Sequence, residues 1–175
     1  MNDNADNVQP EQVELGQWLV GQMADLATAV GESCLDELPR HLKFREKLKP
    51  GEIRRETMVA ILYSTKLCLT DAFGEELAAE VDVAIRKDFV AKCLQGDIGE
   101  FSNLDDLLAN RFQRYVKARN DPMAKDEMLR DMMMGIVAAC SLGLEDKPRM
   151  QFATHLGAHV SMWRRAVQEA LSQEE

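Results

Sequence analysis

The sequence predicts an all-α fold, a single-domain orthogonal or irregular bundle of about six to seven helices. Three observations point there. Apolar residues recur at three-and-four spacing along most of the chain. Val, Ile and Thr nowhere alternate with polar residues over a useful length, and helix formers dominate. Breakers and capping residues cut the chain into segments of helical length. At 175 residues one domain is expected. Residues 1–9 form an acidic, disordered tail in this reading, and residues 10–175 form the helical domain.

The first helix is expected from Pro10 to Val30. Pro10 suits an opening turn, Leu19, Met23, Leu26 and Val30 make a buried stripe beside Trp18, and Gly31 ends it. A shorter segment, Asp36 to Lys49, offers Leu38, Leu42 and Leu48 and stops at Pro50-Gly51. The third, Glu52 to Phe73, carries Met58, Ile61, Leu62, Leu69 and Ala72 on one face with Thr65 among them. Thr65 is expected to bond a carbonyl one turn back. Lys66 sits at the edge of that face, its stem on apolar surface and its ammonium in water. Gly74 separates this segment from a fourth, Glu75 to Gln95, with Leu77, Val81, Ile85 and Phe89 on a four-residue ladder.

Ser102 or Asn103 caps a fifth helix built on Leu104, Leu108, Phe112, Tyr115 and Val116. Asp121 and Pro122 then open a sixth. From Met132 to Leu144 its residues are apolar except Ser141, so this half is expected to be buried on all sides or to lie in an oligomer interface. Thirteen apolar residues are too few to span a bilayer, which needs about 20. The seventh helix opens at Asp146-Lys147-Pro148 and bears the clearest stripe: Phe152, Leu156, Val160, Trp163, Val167 and Leu171.

Charge restricts the partners. With 21 basic against 30 acidic residues the formal charge is −9, which opposes general binding to nucleic acid or anionic membrane. The charge is unevenly spread. Residues 1–39 hold eight acids and no Lys or Arg, whereas residues 40–55 hold seven bases against two acids. The two runs can neutralise each other within the fold. Alternatively, Arg40, Lys43, Lys47, Arg54 and Arg55 form a basic patch for an acidic partner. The amino terminus lacks the features of a secretory or transit signal, and the four cysteines form no CxxC pair. A cytoplasmic protein with reduced thiols is expected.

Motifs for chemistry are sparse. His155 and His159 are four apart on a predicted helix and could hold one transition metal. Leu156 stands where a metalloprotease helix would carry its Glu, so the plainer reading is two boundary histidines. No Glu-x-x-His, GxSxG, GxGxxG or GxxxxGK[ST] occurs. Six of the ten methionines fall after residue 125: Met128, Met132, Met133, Met134, Met150 and Met162. They suit core gaps or an adaptable apolar surface.

The leading expectation is a non-enzymatic adaptor, regulator or structural subunit that works through protein–protein contact, self-association through the last two helices included. It needs no cofactor. An alternative is a bundle that senses a small apolar molecule in a Met-lined cavity between helices six and seven. A third is a metal-binding enzyme using His155 and His159.

Overall fold

The computed structural model describes residues 50–94 and 104–172 together with Trp18 and Gly21; within helices, the side chains of Arg54 and of most residues after Glu76 up to Leu94 lie outside the description. The described residues are all-α, with no strand. Four helices follow in order: α1 (Pro50–Leu94), α2 (Leu104–Arg119), α3 (Glu127–Ser141) and α4 (Asp146–Ser172). No described helix is long and apolar enough to cross a membrane. Apart from Trp18 and Gly21, the two helices expected within residues 10–49 fall outside the described residues, as do the side chains of the ladder Leu77, Val81, Ile85 and Phe89.

α1 runs two expected helices together across a bend. Gly74 has φ +79° and ψ 172°, a conformation that side chains strongly disfavour. The segment before the bend was expected to bury one face, but every residue from Glu56 to Thr65 is buried. The central element of the core is therefore closed off on all sides. Thr65 behaves as its position suggests. Its hydroxyl donates to the Ile61 carbonyl at 2.9 Å and accepts the indole N–H of Trp163 at 2.9 Å, tying α1 to α4. Removing that acceptor with Thr65→Val strands a buried N–H and is expected to destabilise by about 1–3 kcal/mol. Urea unfolding checks this, and an unchanged midpoint would contradict it.

α2 packs its aromatic side on α1. Tyr63 stands 5.0 Å from the Phe112 ring and 5.4 Å from Tyr115, measured between ring centres. Leu108 and Tyr115 are buried, while Val116, expected in the stripe, is exposed. The Lys66 ammonium lies 5.8 Å over the Phe112 ring and 3.9 Å from Asp82.

The start of α3 corrects the sequence reading. Asp121 and Pro122 do not open this helix. The Asp121 carboxylate instead accepts the Met123 N–H at 2.8 Å and shapes a turn. Asp126 is the cap, with extended backbone and its side chain accepting the Leu129 N–H at 2.8 Å. The end of α3 is a Schellman motif. Gly143 sits at φ +70°, the Leu144 N–H reaches the Ala139 carbonyl and the Gly143 N–H reaches that of Cys140, both at 3.1 Å. This tight reversal sends α4 back along α3.

The α3–α4 hairpin is packed to backbone contact. A Cβ placed on Gly135 would fall 2.5 Å from the Ala153 carbonyl oxygen, and one on Gly157 would fall 2.7 Å from the Met132 Cα. The α4 stripe turns inward as expected: Phe152, Leu156, Val160, Trp163 and Val167 are buried and Leu171 half-buried. The second half of α3 is not buried on all sides. Met134, Gly135, Ala138 and Ala139 face the core, Met132, Met133, Ile136 and Val137 are half-buried, and Cys140 is exposed. One side of the apolar run meets α4 and the core, while Met132, Met133 and Ile136 stay partly open to solvent.

Candidate functional site

Two buried carboxylates join the helices. Glu56 on α1 is fully buried and accepts two bonds from Arg111 of α2, from Nε at 2.8 Å and Nη2 at 3.0 Å. Asp131 on α3, also fully buried, accepts from Arg119 of α2 (Nη1, 2.7 Å) and from Arg164 of α4 (Nε 3.3 Å, Nη2 3.1 Å). Burial is the largest influence on the Asp131 carboxyl and lifts its pKa, with Arg164 and Arg119 pulling against it. Both acids are enclosed by guanidinium forks. Their chemistry is that of ties between helices rather than of a base presented to a substrate.

Glu127 completes the second cluster at the surface. It accepts from Arg119 at 2.7 Å and from Arg130. Burial opposes its ionisation, but these hydrogen bonds prevail and lower its pKa from the ordinary value of 4.5. A depressed carboxylate stabilises the fold above its unfolded pKa and loses that effect as the pH falls through its folded pKa. Glu127→Gln is therefore expected to be less stable than wild type at neutral pH, and the two curves should converge below about pH 4.5. Unfolding midpoints measured across that range check it; a constant gap would contradict it.

The candidate basic patch is not assembled in the described residues. Arg40, Lys43 and Lys47 lie outside them, as does the side chain of Arg54. Arg55 is half-buried, with its Nη2 3.5 Å from Glu56 and its Nε enclosed without a hydrogen-bond partner.

His155 and His159 do come together. Their ring centres are 4.7 Å apart with planes at 74°, and both side chains are half-buried on the outer side of α4. Asp131 is engaged by its two arginines and does not join them. No cluster of three His, Cys, Asp or Glu suited to a metal occurs among the described residues.

The thiols differ sharply. Cys68 is buried, donates to the Arg164 carbonyl at 3.7 Å, and burial pushes its pKa up to about 12. It lies at the back of an open cleft of about 500 Å³ with Asp71, Phe73, Gln168 and Leu171 along its walls. Cys140 is exposed. Brief iodoacetamide treatment of the native chain, resolved by peptide, should alkylate Cys140 and spare Cys68 until the protein is unfolded, because the thiolate is the nucleophile. Equal labelling of the two would contradict the burial.

The broadest feature is a face without charge on the α3–α4 hairpin. Met128, Met132, Ile136 and Cys140 follow at four-residue steps along α3, and Met150, Thr154, Ala158 and Met162 do so along α4. The Thr154 hydroxyl lies 3.9 Å from the Met132 sulfur, which sets the two ridges side by side. Exposure reaches 65% at Met128 and 66% at Met162. Backbone contact at Gly135 and Gly157 leaves no room for a ligand between the helices there, so these methionines lie over the seam rather than around a cavity. The abundance of Met in the last third was the sequence signal for this face. The four-residue steps on both helices are the pattern that places it.

No family model, curated protein or solved structure matches this chain.

Proposed function

We propose that the protein is a non-enzymatic adaptor, regulator or structural subunit that acts through protein–protein contact, and that the uncharged face of the α3–α4 hairpin receives the partner. The exposed methionines on that face carry this reading. Met128 and Met162 each leave about two thirds of their surface in water, on two ridges that hold no charged residue. Thioether side chains adapt to partners of varied shape, and apolar helix faces accept apolar helices of another chain. Behind the ridges the scaffold is rigid, held by backbone contact between the helices and by the arginine forks on Asp131. Self-association through the last two helices belongs to the same reading.

A double variant, Met128→Glu with Met162→Glu, tests it. Both positions are exposed, so folding should change little. Affinity purification from the native source, with sedimentation of the pure protein, should show a stoichiometric partner or a dimer for the wild type and its loss in the variant. Identical partners and sedimentation for both proteins would overturn the assignment of this face.

A further inference from the structure

We propose that His155 and His159 together chelate one divalent transition-metal ion of the nitrogen-preferring kind, Cu²⁺, Ni²⁺ or Zn²⁺, on the outer side of α4. This site is separate from the contact reading above and does not rest on it.

The geometry carries the inference. Residues four apart on a helix stand one above the other, and here the imidazole centres are 4.7 Å apart. A metal about 2 Å from a ligating nitrogen lies about 3 Å from the centre of that ring, and two rings bound at about a right angle around it stand about 4.5 Å apart. The observed separation is close to that value. The backbone beneath is fixed, because Phe152, Leu156 and Val160, on the adjoining side of the same turns, are anchored in the core. Pre-positioned ligands lose little freedom on binding.

Imidazole donors select Cu, Ni and Zn over Mg and Ca, which take oxygen ligands. Among the described residues no third His, Cys, Asp or Glu completes a cluster with them, and water or a donor brought by another molecule can take a further coordination position.

Calorimetric titration of Ni²⁺ into the full chain tests the site. Wild type and His41→Ala should each bind about one equivalent, and either His155→Gln or His159→Gln should weaken binding by about tenfold or more, since the chelate partner is gone. Met128→Glu alone, on the neighbouring helix, should bind Ni²⁺ as wild type does, so this proposal and the contact reading fail separately. Nitrogen spectra of the wild type need no variant: paramagnetic Ni²⁺ should broaden both imidazoles before other signals. Failure of the wild type to bind, binding unaffected by either glutamine variant, or broadening centred elsewhere would overturn the proposal.

Discussion

Replacing Asp131 with Ala is expected to lower the unfolding free energy by about 3–5 kcal/mol, a third or more of what a domain of this size commonly has. The effect is large because the substitution removes the one buried carboxylate between two largely buried guanidiniums and leaves only Glu127, at the surface, to face them. Arg119 and Arg164 keep only about an eighth of their side-chain surface in water (12% each), and both direct a nitrogen to this carboxylate. Without it they stay largely desolvated at the meeting point of three helices, with half-exposed Glu127 as the remaining carboxylate beside both. Asp131→Asn should recover part of the loss, since an amide oxygen still accepts. Exchanging all three groups for apolar residues of similar volume should come close to wild type, because the desolvation cost then disappears with the charges. Urea midpoints at constant slope provide the measurement. A change below about 1 kcal/mol for Asp131→Ala would show that the forks contribute no more than exposed pairs do.

Gly135→Ala and Gly157→Ala are expected to be the next most damaging changes, each by about 1–3 kcal/mol or more. In an open helix the same substitution would stabilise by about 1 kcal/mol through helix propensity. The sign reverses because the new methyl meets main chain rather than a movable side chain: Ala153 O and Cα at 2.5 and 2.8 Å for Gly135, Met132 Cα and N at 2.7 and 2.9 Å for Gly157. Neither helix can yield locally, so the hairpin must open along its length. The two losses should not add, since one separation relieves both contacts. Thermal unfolding of the two single variants and the double variant checks this. Stabilisation by either single variant would mean that the helices stand further apart.

The seventh expected helix was legible because its signals are local. Pro148 lies in the first turn, the stripe from Phe152 to Val167 keeps three-and-four steps, and both agree with α4. Asp121-Pro122 misled because the pair suits a helix start and an Asx turn equally well, and only the Met123 N–H decides between them. Asp131 looked like one more polar residue at the start of a helix. Its partners sit 12 and 33 positions away, which no helical wheel displays. Gly135 and Gly157 gave no sign of their role, since each matters only against the backbone opposite. The burial of α1 was hidden by its polar residues: Glu56, Thr57 and Ser64 lie in the interior where a periodic stripe would place them outside. Of the candidate site, His155 and His159 were readable from spacing alone. The uncharged face was only hinted at, because composition counts methionines without saying which side of a helix they occupy.

Gly74 determines the reach of α1. A straight helix of 45 residues would extend about 68 Å, well beyond the breadth of a domain this size. The bend divides it into rods of about 36 and 30 Å, each short enough to pack within one body. Nothing lies within 4 Å of where a side chain at this position would project, so crowding is not what demands glycine. The constraint is torsional, and a single achiral residue redirects the chain midway along α1.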